Sequence, residues 1–240
     1  MSRLFAPTLL AAAVTLGLTA CGPSEEERRQ AAEQAARQAA EAQATEQLAL
    51  YEQALAEENW EIAETYGRFL RESFPDTDAT RSIDDTYGDV TERAGVMREQ
   101  RRLEDLWVYH QVEEDGAQTA TAYIYSVNGE RGVAPVRLVL RSHAEWGTSA
   151  YLLPDGETPR FACANPCDIQ VTFDGDTRSF EAMVSEPTEN HALFIEDHDR
   201  FLDALDDAGS VSLEVGTEGG GTVSLDYEVG GFDRSRYLGD

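Results

Sequence analysis

The sequence predicts an α+β protein, with an N-terminal helical unit followed by an antiparallel β-sandwich or partly closed barrel that carries one short helix. Two observations carry this expectation. Large apolar residues recur at helical spacing as far as Arg102 and at a period of two beyond it, and the second half is punctuated by Asp-Gly and Asn-Gly pairs of hairpin type. The length of 240 residues leaves room for two cores. The expected segments are a signal peptide at 1–20, an anchor and helical spacer at 21–45, a helical hairpin plus a third helix at 46–102, and a β domain at 103–240.

The chain opens "MSRLFAPTLLAAAVTLGLTAC", in which Arg3 forms a short basic region and an apolar run extends from Leu4 to Leu18. That pattern is a signal sequence, and the run is too short for a spanning helix, which needs roughly 20 apolar residues. Leu18, Thr19, Ala20 and Cys21 resemble the lipobox of bacterial lipoproteins. The resemblance implies cleavage before Cys21 and acylation of Cys21, so the partner expected at this end is a membrane, held through lipid. Gly22 stands where the inner-membrane retention signal of enteric bacteria would place Asp, which favours the periplasmic face of the outer membrane.

Next comes "GPSEEERRQAAEQAARQAAEAQATEQ". Ser24 and Glu27 form an S-x-x-E capping box, acids occupy the first turn, and Glu25–Arg29 and Glu33–Arg37 are spaced for ion pairs. Ala32, Ala35, Ala39 and Ala42 trace a small-residue seam, yet alanine buries little, so a solvated spacer is expected over an oligomerisation seam. Leu48, Tyr51 and Leu55 form an apolar stripe; "EEN" reads as a turn; Ile62, Tyr66, Phe69 and Leu70 form a second stripe. A third stripe runs through Ile83, Tyr87, Val90, Ala94 and Met97. The stretch "ALAEENWEIAETYGRFLRESFPDTDA" resembles the helix-turn-helix of tetratricopeptide repeats over about one and a half repeats. A solenoid needs about three repeats to close a core, so this resemblance implies that the hairpin leans on the β domain, a second copy or a partner.

Beyond Arg102, "WVYHQV", "TATAYIYSV", "VRLVLRS", "SAYLLP", "IQVTFDG", "VSLEVG" and "TVSLDYEVG" read as strands, with turns at Asp115-Gly116, Asn128-Gly129, Asp155-Gly156 and Asp174-Gly175. Seven to nine antiparallel strands are expected. "DRFLDALDDAG" reads as the one helix, with Phe201, Leu202 and Leu205 inward and Gly209 as its C-cap. The order of a cysteine-bearing strand, a short helix and two last strands ending "GGFDRSRY" resembles periplasmic accessory proteins of secretion systems.

The formal net charge is -27, and all 19 basic residues are Arg. Nucleic acid is excluded as a partner, because almost nothing here would release its counterions. Acids are spread along the whole chain, as a solvation property would be.

Cys163 and Cys167 are the two cysteines left once Cys21 carries lipid. In an oxidising compartment an even pair reads as a disulfide, with Asn165 and Pro166 in a tight turn between. Free or redox-active thiols and a metal remain the alternatives; zinc would need two more ligands, and His110, His143, His191 and His198 are scattered. Ser142 beside His143 lacks the elbow of a hydrolase nucleophile. "EDHD" at 196–199 with Asp203 is not spaced as a calcium loop, and "DGDTRSFE" is a hairpin turn. Trp60, Trp107 and Trp146 are expected in cores. No catalytic residue, metal or cofactor is expected. The function implied is a non-enzymatic envelope lipoprotein acting through protein-protein contact. The alternative is a β domain that binds a small molecule, glycan or peptide on a helical stalk.

Overall fold

A computed structural model describes residues 23–114, 116–127, 134–156, 160–185 and 191–238. The expected signal peptide, Cys21, the Asn128-Gly129 turn and Asp115 of the expected Asp115-Gly116 turn lie outside the described residues. The chain divides into two compact units, Met1–Val90 and Thr91–Asp240.

In the first unit, α1 spans Glu25–Ala56 and begins at the capping box: the Ser24 hydroxyl accepts the Glu27 N–H (3.2 Å) while the Glu27 carboxylate accepts the Ser24 N–H (2.6 Å). Spacer and first hairpin helix are one continuous element, because nothing between residues 40 and 50 breaks it. Ala32, Ala35, Ala39 and Ala42 are all exposed. The ion pair formed is Arg29–Glu33 at 3.8 Å, a register offset from the two expected pairs. Burial starts at Ala44 and continues through Tyr51 and Ala54.

Helix α2, Trp60–Ser73, starts where the Asn59 carboxamide accepts the Ile62 N–H. Its buried face is Ala63, Gly67 and Leu70, whereas Ile62 and Phe69, expected inward, are 45% and 42% exposed. The reason is a close approach. The Tyr87 ring lies against Gly67, where an added Cβ would sit 2.5 Å from its Cδ2, so the contact line passes through the small residues. Thr77 caps a short α3, Asp78–Ser82, and α4 follows over Asp84–Asp105. The Tyr51 hydroxyl meets Thr86 Oγ1 at 2.8 Å in the core between α1 and the start of α4.

The second unit holds nine strands: β1 Val108–Glu114, β2 Ala117–Tyr125, β3 Val136–His143, β4 Gly147–Pro154, β5 Cys167–Phe173, β6 Asp176–Val184, β7 Leu193–Ile195, β8 Ser210–Gly216 and β9 Thr222–Glu228. Helix α5, His198–Asp206, lies between β7 and β8 in the chain, and α6, Arg234–Leu238, follows β9. The strands form one antiparallel sheet ordered β1-β2-β3-β4-β7-β6-β5-β8-β9 with two free ends. Alternation along each strand sends one set of side chains into a single core, among them Ile124, Leu138, Leu140, Leu152, Val171, Leu213 and Leu225. Phe201 of α5 closes this core, with ring centroids 5.5 Å from Phe173 and 5.7 Å from Phe180. Each such side chain contributes about 1.5–3 kcal/mol by burial.

Two turn expectations divide. Asp174 and Gly175, at φ 45° and 92°, make the two-residue β5–β6 hairpin with the left-handed geometry that favours Asp-Gly. Asp155-Gly156 makes no hairpin: the Asp155 N–H donates to Pro135 O, and the next neighbour of β4 is β7. Gly209 is not the cap of α5 either. Asp207 ends that helix, and the Gly209 N–H is held by the Asp174 carboxylate at 2.9 Å.

Candidate binding surface on the sheet

Residues directly opposite each other on paired strands share a face, so the registers divide every strand into core-facing and outward positions. A row of outward residues runs across the sheet: Tyr123 is opposite Val139, Val139 opposite Tyr151, Tyr151 opposite Phe194, and Phe194 opposite Met183. None of these belongs to that core cluster, although Val139 in the middle of the row is itself buried, at 3% exposed. The Tyr151 and Phe194 rings are 5.0 Å apart, Tyr123 stacks on His110 at 5.9 Å, and Tyr125 meets Tyr123 edge-on. Arg137 lies over the Tyr123 ring, 5.7 Å from its centroid, and pairs with Asp155 at 3.4 Å.

At the β3–β4 hairpin, Trp146 is 65% exposed. It stacks flat on His143 (3.9 Å, 10°), with the Arg141 guanidinium 5.3 Å from its centroid. His143 Nδ1 accepts the backbone N–H groups of Glu145 (3.1 Å) and Trp146 (3.3 Å), so in the neutral ring the proton sits on Nε2. That Nε2 is buried without a partner among the described residues, as are Thr119 Oγ1 and Arg137 Nε. Thr119 is directly opposite His143 in the ladder. The other unpartnered buried atom, Arg234 Nε, lies 2.9 Å from the Asp206 carboxylate and is therefore compensated by charge.

From Val108 to Val112, Thr119 to Tyr125, Arg137 to His143 and Ser149 to Leu153, no outward position holds an acid. The other half of the sheet is the reverse. Outward positions on β5, β6, β8 and β9 carry Asp168, Glu181, Glu214, Asp226 and Glu228 among Ser, Thr and Gln, with no aromatic ring. Its polar groups find one another: Thr172 with Thr177 (2.8 Å), and Ser212 with Asp226 (2.5 Å).

The structure joins Cys163 to Cys167 by a disulfide. Inside that loop, Asn165 clamps the end of β6, accepting the Val184 N–H (2.8 Å) and donating to Val184 O (3.1 Å), a contact the sequence did not signal. Ser142 and His143 are consecutive on β3, so their side chains project to opposite faces and form no dyad. Around 196–199 the acids have ordinary uses: Asp197 caps α5, Asp199 meets His198 (3.2 Å), and Asp203 pairs with Arg234 (2.9 Å). Among the described residues no group of three or more His, Cys, Asp or Glu is placed to hold a metal. Of the tryptophans, Trp107 is core and donates its indole N–H to Val229 O; Trp60 is half-buried, and Trp146 stands outside. On the helical unit an open groove of about 580 Å³ runs past Arg37, Glu41 and Pro75, and the Glu41 carboxylate there is already engaged by the N–H groups of Asp78 and Ala79.

No helix among the described residues is long and apolar enough to cross a membrane. No protein-family model matches the chain, and no curated protein matches it. Among solved structures it is similar to the crystal structure of invasion associated protein B from Bartonella henselae, at 16% identity and a TM-score of 0.38, over 53% of this chain and 86% of that one.

Proposed function

We propose that this chain is a non-enzymatic protein of the bacterial cell envelope, anchored by lipid on Cys21 at the periplasmic face of the outer membrane, and that its β unit is the recognition module. The observation that carries the reading is the partition of the sheet's outer surface. In a chain of net charge -27, one half-face holds arginines, exposed rings and three buried polar atoms without partners among the described residues, and its outward positions from Val108 to Val112, Thr119 to Tyr125, Arg137 to His143 and Ser149 to Leu153 hold no acid. Aromatic residues and Arg are the groups enriched at protein interfaces. The helical unit acts as the spacer, since α1 is solvated over its first turns and extends for about 48 Å. The recognition role is thereby assigned to the sheet, which the sequence left as the alternative to docking on tetratricopeptide-like helices.

The sheet's finer form in this reading is a partly closed barrel. What supports it is contact between its distant strands: the Val127 N–H, just past β2, donates to Asp226 O on β9 (2.8 Å), and the Tyr227 hydroxyl donates to Val136 O on β3 (3.3 Å).

A photo-crosslinking residue placed at Tyr125 and, separately, at Gln170 in the full-length protein tests the surface in cells. Adducts from position 125 and none from position 170 are expected; adducts from 170 alone would overturn the assignment. Fatty-acid labelling tests the anchor, since Cys21→Ala removes the sulfur that would be acylated, and label retained by that variant would sink it.

A further inference from the structure

We propose that His143 makes the tip of the β3–β4 hairpin a pH-sensitive latch, closed over the neutral imidazole and released when the ring becomes an imidazolium; any use of it in recognition rests on the role given to the sheet above. The tip is the loop Ala144–Trp146 between His143 and Gly147, which are opposite each other in the ladder. All of its residues are exposed, Gly147 takes φ 76°, and a Cβ added there would touch nothing. Packing therefore does little to hold the tip. The Ala144 N–H is tied to Gln118 O (3.1 Å), and the next two N–H groups, of Glu145 and Trp146, both end on one atom, His143 Nδ1. A ring nitrogen accepts such bonds only while it is unprotonated. A proton on Nδ1 turns the acceptor into a donor that faces two donors, and both backbone groups lose their partner.

Nothing in the closed form compensates, because Nε2 is buried without an acceptor among the described residues. An imidazolium held there would have neither of its N–H groups accepted, which is the costly way to bury a charge. The surroundings set the pH of the event without reversing its sign. Arg141, two positions back on β3 with its guanidinium 5.3 Å from the Trp146 centroid, opposes a second positive charge. Across the ladder stand Thr119 and Thr121 on β2, then Val112 and His110 on β1 with Glu114 at the next outward register position; on the other side are Gly147 and Ser149 of β4. The exposed Glu145 of the loop favours the charged ring, and as a near neighbour in the chain it does so with the loop closed or open. The stacked indole face also attracts a cation, but one such contact at an exposed ring is worth less than two backbone bonds and the solvation of the ion. The open form thus binds one proton more than the closed form, and acidification favours opening. Opening lifts the Trp146 ring off His143, so that Nε2 meets water.

The test is a nuclear magnetic resonance titration of the full-length protein in detergent micelles, with nitrogen-15 in its tryptophans and histidines, over the interval of about pH 8 to pH 5 in which imidazoles change charge. The Trp146 amide signal, identified by its absence from Trp146→Phe, should move with the same midpoint as the His143 ring nitrogens. Its protection from hydrogen exchange, measured against the Trp107 amide, should fall about tenfold as the loop opens. His143→Asn puts a carboxamide oxygen close to the place of Nδ1, an acceptor that does not titrate, and should keep the Trp146 signal at its pH 8 position throughout. A Trp146 signal that stays in place while His143 charges, one that moves as far in His143→Asn, or a His143 ring still neutral at pH 5 would each overturn the latch. Should that variant fail to fold, the titration of the parent decides alone. The readout needs no partner, so its failure is distinct from a failure of crosslinking at position 125, which bears on the recognition role.

Discussion

The two halves of the sheet share one core and differ on their outer faces. Beneath both, the same alternation of Ile, Leu, Val and Phe fills one cluster. Above β5, β6, β8 and β9 the surface is hydroxyl and carboxylate, and its side chains satisfy one another. Above the middle of β1 and above β2, β3, β4 and β7 it is largely ring and guanidinium, and three buried polar atoms there have no partner among the described residues. The sheet's assembly needs only the inner pattern, so the outer face is free to vary, and only one of its halves departs from what solubility alone asks.

Breaking the shared core should have the largest effect. Phe201 is fully buried against Phe173 and Phe180, so Phe201→Ala should lower the unfolding free energy by about 3–5 kcal/mol. Tyr151→Ala, on the outer face, removes one ring contact with Phe194 and should cost about 1 kcal/mol. Urea titration of the two variants checks the contrast; equal losses would show that the outer row is part of the core and dissolve the distinction between faces.

Much of the inner pattern was legible and little of the outer. Ser24 and Glu27 announced their capping box because it is local, and Asp174-Gly175 announced its hairpin for the same reason. Strand β6 was recognised only as one arm of that turn, since Phe180 and Ala182 are its only fully buried apolar residues, and the three-residue β7 gave no period at all. The pairing of β4 with β7 joins segments some 40 residues apart, which no local pattern encodes. Gly67 was overlooked because hydrophobicity marks large residues, whereas the α2 contact is made where a small one lets Tyr87 in. The Trp146–His143 stack depends on the β3–β4 turn geometry. One signal of the surface was present and overlooked: from Ala117 to Ala144 the sequence holds a single acid, Glu130, in a chain with 46.

A smaller substitution sharpens the comparison by separating stability from binding. Thr119 is 3% exposed and its hydroxyl has no partner among the described residues. Thr119→Val keeps the β-branched shape and removes the unsatisfied group, so stability should rise by about 1 kcal/mol. Crosslinking from position 125 in cells should fall in the same protein if that hydroxyl serves the partner. A stability gain with unchanged crosslinking would make Thr119 a defect of packing and not part of the surface.

The last effect is expected to be the smallest, and it belongs to the satisfied half. Asp174 ends β5's hairpin with its carboxylate accepting the Gly209 N–H (2.9 Å), the Ser210 hydroxyl (2.9 Å) and the Ser210 N–H (2.8 Å). The Gly209 N–H first, then the two Ser210 donors, hold this carboxyl below the usual range. A group that is more acidic folded than unfolded favours the folded state in its charged form. Its contribution is therefore complete above the ordinary carboxylate pKa of roughly 3.9 and is lost as pH falls through the lowered folded value. Asp174→Asn should accordingly be less stable than the parent at pH 7, and the gap should narrow as the solution is acidified. Chemical denaturation of both proteins between pH 7 and pH 2 reads the gap directly. A difference that stays constant over that range would mean that the carboxylate's charge plays no part in joining the β5–β6 turn to the start of β8.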